Sequence, residues 1–354
     1  MTHADKIAAV DVVQRAKKLL RSNDPGVRQA IARANAGILA IKDANYGNVH
    51  SDQVLSTISV QYRNQDFIGT QLMPVISTKS PSGKYYTYNK RDRLAAPDDA
   101  VGIRTAPNEI ADTARTLANY TTDPYALKDF VAERTLQAQD APLDEMVDLV
   151  ASVNDAIDLR EEKRIAAILT SPSAFVGNTL ALGGTAQWSD PGSDPVGAIT
   201  GARDGLWSGP GGATKLVGYC GLAVYNMIRR HAKIVADFKH VAGLKLVTRQ
   251  QLAEYLELDD LIVGRAWEDT ANDGQAASYS RIWGKVFGII RIAQSPGIRT
   301  AGFGYTFRFG QKVTTQWYDP APGVEGGYHC KVGVEEGHMV VAPDAGFLFT
   351  GAIA

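Results

Sequence analysis

Three side chains of types that commonly bind metal ions lie close together near the end of the sequence: His329, Cys330 and His338. Imidazole and thiolate are ligands that zinc prefers, but this spacing matches no recurrent zinc motif. His329 and Cys330 are neighbours in a predicted strand, so their side chains point to opposite faces. The sequence therefore predicts no shared metal ion here, and we expect no cofactor.

Adjacent carboxylates are the next candidates for chemistry, because a pair of carboxyl groups can carry out general acid–base catalysis. Neighbouring residues on a helix or strand point apart, so we expect such pairs to be solvated charges. We likewise expect His231 and His240 at the surface. The acidic pairs are Glu161 with Glu162, Asp259 with Asp260 and Glu335 with Glu336.

Three glycine-rich segments fall short of known nucleotide-binding and hydrolase motifs. Residues 209–215 lack the glycine that precedes the lysine of a P-loop. Residues 302–304 lack the third glycine of a dinucleotide fingerprint, and residues 205–209 misplace the serine of a nucleophile elbow. The sequence thus carries no enzyme signature, and a hydrolase with an unrecognised site in residues 195–300 stays as an alternative.

Length and charge exclude several classes of protein. The chain has 354 residues, 45% of them hydrophobic, which suffices for a large core and about two domains. Its 37 Lys and Arg against 38 Asp and Glu argue against a surface that binds nucleic acid throughout. Two cysteines indicate a reducing compartment. Because no apolar run could span a membrane or serve as a signal peptide, we expect a soluble protein without a membrane partner.

The first 45 residues differ from the rest in charge, with eight Lys and Arg against four Asp. Val27, Ile31, Ala34, Ile38 and Ile41 fall on one helical face, and Asp24-Pro25 supplies a helix start. A shorter helix is predicted before it. We interpret residues 1–45 as an amphipathic helical hairpin, with a nucleic-acid-binding arm as the alternative.

Further along, Val75–Thr78 and Tyr85–Tyr88 read as strands around a Ser-Pro-Ser-Gly turn, which predicts a hairpin. Residues 89–110 are polar and aperiodic, typical of a functional loop or a segment ordered by a partner. From Pro142 to Pro172 apolar residues repeat at helical spacing, which predicts a helix of about 28 residues.

Residues 195–300 alternate between helix and strand patterns, which indicates an α/β or α+β unit. Helices are predicted at 198–207, 221–231 and 248–257. Strands are predicted at 215–219, 261–264 and 281–292, and the last 50 residues are strand-rich, with alternation at 305–309 and 338–341.

The order of these parts over residues 55–354 resembles the major capsid proteins of tailed bacteriophages, which share the Hong Kong 97-like fold. Each matching stretch is short, and their order and spacing carry the resemblance. The stretches are Phe67-Ile68-Gly69, Met73-Pro74-Val75, Gly83 to Tyr88, Tyr120, Tyr125-Ala126-Leu127, Tyr225 to His231, Val247-Thr248, Gln251-Leu252-Ala253, Val263 to Ala266, Ile282-Trp283-Gly284, Gly304 to Phe307 and Gly346 to Phe349.

The resemblance implies an α+β chain and assigns its parts. They are the basic helical arm (1–45), an N-arm (46–75), an extended loop that reaches over a neighbouring subunit (76–118), a peripheral domain with a long spine helix (119–194), an axial domain (195–300) and a return to the peripheral sheet (301–354).

The function that the resemblance implies is structural and non-enzymatic. Copies of the chain would assemble in the host cytoplasm into hexamers and pentamers of an icosahedral virion capsid around double-stranded DNA. Scaffolding, portal and decoration proteins are the further candidate partners, and an encapsulin-type protein compartment is the alternative within the same fold. The implied inter-subunit contacts are Lys84, Tyr85, Tyr86, Tyr88, Arg91 and Arg93, and the implied inner-surface arm residues are Arg15, Lys17, Lys18, Arg21, Arg28 and Arg33.

Overall fold

The structure of the chain is a computed structural model. Its described residues are 67–88, 99–101, 106, 109, 115–138, 144–206, 214–238, 247–272, 274–294 and 302–354. Residues Met1–His50 and Ser51–Ala354 form separate units, and every described residue belongs to the second. The predicted helical arm, with the six residues implied at the inner surface, therefore lies outside the described residues, as do Arg91 and Arg93.

The described elements include both helices and strands, and more of their residues lie in strands. The helices are α1 (Gly69–Leu72), α2 (Glu133–Gln137), α3 (Glu145–Leu169), α4 (Pro195–Gly205), α5 (Leu222–Ile228), α6 (Ala232–Phe238) and α7 (Arg249–Tyr255). The strands are β1 (Val75–Thr78), β2 (Ser82–Tyr88), β3 (Arg115–Thr121), β4 (Asp123–Ala132), β5 (Thr179–Ala181), β6 (Thr214–Gly221), β7 (Asp260–Gly264), β8 (Trp267–Asp269), β9 (Tyr279–Arg281), β10 (Phe287–Ala293), β11 (Gly304–Asp319), β12 (Gly327–Val340) and β13 (Gly346–Thr350).

A four-stranded sheet has the order β1-β11-β12-β4. The long strands β11 and β12 run antiparallel, and β1 adds parallel to β11 through the pairing of Val75 with Thr306. The predicted hairpin between β1 and β2 is therefore wrong: β2 pairs with β3 instead. A turn motif does not show which strand the next strand will pair with. Strand pairing depends on residues that are distant in sequence.

A five-stranded sheet has the order β5-β13-β10-β6-β7. Its central strands β6 and β10 are almost continuously buried, as expected for strands covered on both faces. The strand predicted over 281–292 is two strands, because Gly284 turns the chain with a positive φ of 50° between β9 and β10. Since β13 joins this sheet, residues 301–354 supply strands to both sheets.

The predicted long helix is confirmed as α3, of 25 residues, about 38 Å long. Asp144 caps it, its carboxylate accepting hydrogen bonds from the Met146 and Val147 amides at 3.2 Å. The first half of α3 packs on β4 and β12, and the second half enters a core with Phe175, Tyr219 and Trp283. One helix thus connects the two sheets. None of the described helices has the length and apolar character needed to cross a membrane.

Candidate assembly interface

Strands β2 and β3 form a separate two-stranded ribbon, paired from Ser82 with Thr121 to Tyr88 with Arg115. Alternation along the strands places Tyr85 and Tyr120 on one face. Both rings stack on Phe307 of β11, with centroid separations of 5.9 and 4.6 Å and interplanar angles of 27° and 11°. Burial raises the pKa of Tyr85. This face of the ribbon is therefore fixed to the four-stranded sheet.

The opposite face of the ribbon, which we call its open face, has three described side chains exposed to solvent. It carries Lys84, Leu117 and Asn119, all exposed, and the Leu117 side chain is 51% exposed. An exposed leucine between polar neighbours on a ribbon that already has a fixed face is available to another surface.

The base of the ribbon is held by Thr122, which is buried between β3 and β4. Its amide and its hydroxyl both donate to the Pro81 carbonyl, at 2.8 and 2.9 Å. The hydroxyl also lies 2.9 Å from Oε1 of Glu335 on β12. These contacts and the tyrosine stack set the direction in which the ribbon leaves the sheet.

Among the residues expected at the inter-subunit contact, Lys84 lies on the open face of the ribbon and Tyr85 on the fixed face. Tyr86 and Tyr88 lie in β2, where their backbones pair with Leu117 and Arg115. The structure therefore brings a part of the predicted set into one ribbon, and it gives Tyr85 a contact within its own chain.

The expectation that the acidic pairs are solvated is wrong for Glu162, which is 2% exposed. Its carboxylate accepts hydrogen bonds from the Ile68 and Gly69 amides at 3.1 and 2.7 Å, and from Trp283 Nε1 at 2.7 Å. Burial raises its pKa, and these three hydrogen bonds oppose the rise. Glu162 thus joins the start of α1 and the loop before β10 to the middle of α3.

The same expectation is wrong for Glu161 and Glu336, which are 6% and 0% exposed. Arg308 Nη2 lies 2.8 Å from each of these carboxylates, and Arg164 Nη2 lies 2.6 Å from Glu336. Arg164 also stacks on the ring of Tyr125, 3.7 Å from its centroid. The network ties α3 to β4, β11 and β12. The signal in the sequence was Arg308, a charge within the alternating strand pattern 305–309.

Burial in this network shifts two titrating groups in opposite directions. Burial, reinforced by the nearby Glu336, raises the pKa of Glu161 to about 7. Burial lowers the pKa of His338 to about 4, and its Nδ1 lies 2.9 Å from Thr306 Oγ1. Adjacent acidic residues do point apart as predicted: Glu335 reaches the ribbon base and Glu336 reaches α3.

Ser193, just before residues 195–300 of the hydrolase alternative, meets His231 of that region, with Oγ 3.2 Å from Nε2. The expectation of a surface His231 is wrong, since both side chains are buried. Ser193 Oγ donates to the Asp190 carbonyl at 2.8 Å, and Nε2 lies 3.2 Å from the same carbonyl. Nε2 therefore carries the hydrogen that it shares with two oxygens and cannot accept one from the serine. The pair closes a turn.

The candidate metal ligands His329 and Cys330 lie on opposite faces of the sheet. His329 stacks on Trp317, with centroids 5.0 Å apart, whereas Cys330 packs in the core beneath α3. The predicted opposite orientation is confirmed. Over the described ranges no three His, Cys, Asp or Glu side chains converge as metal ligands would. The described contacts join separate elements of the fold to one another.

Comparison with known proteins gives the family. The major capsid protein of Pseudomonas phage JBD67 is 30% identical over 308 residues, covering 86% of this chain and 97% of that protein. The major capsid protein of Burkholderia phage BcepMu is 27% identical over 265 residues, covering 73% and 83%. No family profile matches the chain.

Solved structures show the same fold. A phage-related protein from Bordetella bronchiseptica RB50 aligns with a TM-score of 0.67 at 21% identity, over 87% of this chain and 99% of that one. The capsid of cyanophage P-SCSP1u aligns with a TM-score of 0.51 at 11% identity, over 78% and 86%. The arrangement of anchors, the open ribbon and these relatives agree: the chain belongs to the major capsid proteins of phages, and its role is that of a structural protein of the capsid shell.

Proposed function

We propose that the chain adopts the Hong Kong 97-like arrangement and assembles into hexamers and pentamers of an icosahedral shell around double-stranded DNA. In this proposal residues 76–118 are the extended loop that reaches a neighbouring subunit, and α3 is the spine helix. Residues 1–45 face the DNA. Assembly takes place in the host cytoplasm, with scaffolding, portal and decoration proteins as candidate partners.

The observation that carries this proposal is the two-faced ribbon. Tyr85 and Tyr120 hold one face on the chain's own sheet, while Lys84, Leu117 and Asn119 stay exposed on the other. A two-stranded ribbon is marginally stable on its own and gains from burial against a second surface. A neighbouring subunit supplies such a surface in a self-assembling shell.

The ribbon's role is tested with Leu117→Glu, which places a charge on the open face without touching the tyrosine stack. Val324→Glu is the matched control, since Val324 is fully exposed in the turn between β11 and β12. We expect Leu117→Glu to leave the unfolding midpoint of the unassembled chain unchanged and to abolish particles in sedimentation and negative-stain microscopy. Normal particles from Leu117→Glu would count against the loop assignment.

The content of the particles separates the phage shell from an encapsulin-type compartment. Nuclease-protected double-stranded DNA inside particles from infected cells supports the proposal. Particles that hold a protein cargo and no DNA would support the compartment instead.

A further inference from the structure

Strands β8 and β9 form a second two-stranded ribbon, which lies beside the middle of α3. Strand alternation turns Glu268 of β8 toward α3, where its carboxylate forms an ion pair with Lys163. The inner face of this ribbon is therefore fixed to the helix. The outer face is made of the two cross-strand pairs Trp267 with Arg281 and Asp269 with Tyr279.

Two aromatic side chains on the outer face are exposed. Tyr279 is 70% and Trp267 53% exposed, more than any other aromatic side chain that the structure describes. The Arg281 guanidinium lies 4.1 Å from the centroid of the Trp267 ring, and its Nη1 donates to the Arg265 carbonyl at 3.2 Å. These contacts hold the indole in place. Exposed aromatic rings on a ribbon with a fixed inner face are available to another surface.

A cavity of about 340 Å³ lies between this ribbon and α3. Its apolar lining includes Ala156 and Leu159 of α3, together with Ala266 and Trp267. Its two charged lining residues, Asp155 and Arg265, are exposed. Binding sites in proteins have volumes of roughly 300–1,000 Å³, and this cavity is at the lower end of that range. An aromatic ring that carries a polar group fits such a lining.

We propose that the outer face and the cavity form a reciprocal contact between two copies of the chain, in which Tyr279 of each copy enters the cavity of the other. This inference rests on the proposed shell and adds a surface to it. The tyrosine ring packs against Leu159 and Trp267 of the second copy. Its hydroxyl donates a hydrogen bond to the carboxylate of Asp155 there.

Charge complementarity supports a second copy as the occupant. Asp269 stands opposite Tyr279 in the ribbon, so it approaches the cavity of the second copy together with the ring. Hydrogen bonds from the amides of Ala271 and Ser278, both 2.9 Å from Oδ1, lower the pKa of Asp269. Arg265 at the cavity forms no ion pair with any described residue. The Asp269 carboxylate of one copy can therefore pair with the Arg265 guanidinium of the other.

The positions of ring and cavity determine the symmetry of the contact. Tyr279 and the cavity lie side by side on one surface, so two copies that face each other exchange both rings at once. Such a contact is two-fold and joins two copies only, whereas the rings of a hexamer or pentamer are built from head-to-tail contacts. The contact therefore joins subunits of adjacent capsomers.

An engineered disulfide tests the contact and its symmetry together. Arg265→Cys with Asp269→Cys places thiols at the proposed ion pair and leaves Tyr279 in place. These positions are about 13 Å apart along one extended strand, too far for a disulfide within one chain. The native cysteines, Cys220 and Cys330, are buried. Oxidised particles should give dimers, and nothing larger, on a denaturing gel without reductant, and neither single-cysteine variant should give them.

Substitutions of the ring and the cavity measure what the contact contributes to assembly. Tyr279→Ala removes the ring and Ala156→Phe fills the cavity, so each should lower particle yield at least about tenfold in sedimentation and negative-stain microscopy. Because Tyr279 is exposed, Tyr279→Ala should leave the urea midpoint of the unassembled chain unchanged. Tyr279→Phe keeps the ring and should assemble better than Tyr279→Ala. Val176→Ala, at a side chain 73% exposed outside the ribbon, is the control and should assemble like wild type.

A mixture of variants identifies the occupant. A copy with Ala156→Phe keeps its tyrosine, and a copy with Tyr279→Ala keeps its cavity, so each pair of unlike copies regains one of the two ring contacts. We expect an equal mixture to give more particles than either variant alone. Losses that the mixture does not relieve would make the occupant something other than a second copy.

Two further results would overturn the inference. Wild-type particle yield from both Tyr279→Ala and Ala156→Phe would show that the contact is absent. Disulfide-linked ladders up to hexamers would place it head-to-tail within a ring. Failure of wild type itself to form particles would instead refute the proposed function, whereas normal wild-type particles in which the double-cysteine variant gives no dimers would refute this contact alone.

Discussion

Replacing Trp283 with phenylalanine removes one of the three hydrogen-bond donors from the buried carboxylate of Glu162. The indole is fully buried, and its Nε1 lies 2.7 Å from Oε1 of that carboxylate. The amides of Ile68 and Gly69 remain as donors. The substitution keeps an aromatic ring in the core, so its main chemical effect is on the charged acceptor.

The expected loss follows from two contributions. A hydrogen bond to a charged group contributes roughly 1.5–3 kcal/mol to stability. The volume lost with part of the indole ring adds roughly 1 kcal/mol for the remaining cavity. We therefore expect Trp283→Phe to lower the free energy of unfolding by about 3 kcal/mol at pH 8.

The loss of stability in Trp283→Phe also depends on pH, because the lost hydrogen bond affects the pKa of Glu162. The Trp283 donor stabilises ionised Glu162 and so lowers its pKa against the rise caused by burial. Without it the folded variant retains a proton on Glu162 to higher pH than wild type does. Because the folded variant then binds more protons than its unfolded chain over a wider range, its stability falls further as pH rises. The difference from wild type is expected to be larger at pH 8 than at pH 5.

Urea unfolding of the unassembled full-length chain, followed by far-UV circular dichroism at pH 5 and pH 8, measures both effects. Trp188→Phe is the matched control, because Trp188 is equally buried but packs edge-on against Phe287, 5.3 Å between centroids. We expect Trp188→Phe to lose only the stability that the cavity costs, by the same amount at both pH values. Equal and pH-independent losses for the two variants would refute the charge-assisted bond.

Three further predictions concern the same connections. Because burial raises the pKa of Glu161 from 4.5 to about 7, its ionisation costs folded-state stability as pH rises through that window. The stability of Glu161→Gln relative to wild type, from urea midpoints, should therefore increase by about 3 kcal/mol between pH 4 and pH 8, and a constant difference would contradict the assignment. The pKa of His338 is shifted in the opposite direction. Burial lowers it from 6.5 to about 4, so wild type loses stability as pH drops through that range. His338→Asn should flatten this acid limb of the stability curve, and an unchanged limb would point to another group. Finally, a Cβ at Gly264 would lie 2.2 Å from the Trp283 ring. Gly264→Ala should therefore lower the free energy of unfolding of the unassembled chain in urea by roughly 1–3 kcal/mol. A Cβ at Gly205 meets nothing within 4 Å, so Gly205→Ala should show no such loss.

Elements specified by local chemistry were predictable. The long helix α3 follows from its apolar repeat and from Asp144 at its start. Helix α7 begins at a capping box in which the side chains of Thr248 and Gln251 accept hydrogen bonds from each other's backbone amides. A Thr followed by a Gln three positions later predicts this cap. Buried strands such as β6 and β7 were evident as short apolar runs between helical patterns.

Partners distant in sequence were not predictable from one chain. The strand after Pro74 had an obvious local neighbour in β2, yet it pairs with β11, more than 200 residues away. Glu162 and Trp283 are separated by 121 residues, and no spacing rule relates them. A glutamate on a long helix looks solvated until the donors that compensate its burial are known.

The sequence by itself determined the helical and strand periods, the local caps, the absence of recognised enzyme motifs and the resemblance to phage capsid proteins, because these depend on residue types and short spacings. Only the tertiary structure decided which strands pair, which carboxylates are buried and which faces stay open. Lys128 and Lys331 are 203 positions apart, and they became a like-charged pair only when the register of β4 against β12 placed them opposite each other. Burial and charge proximity are properties of the folded arrangement, which a one-dimensional pattern does not contain.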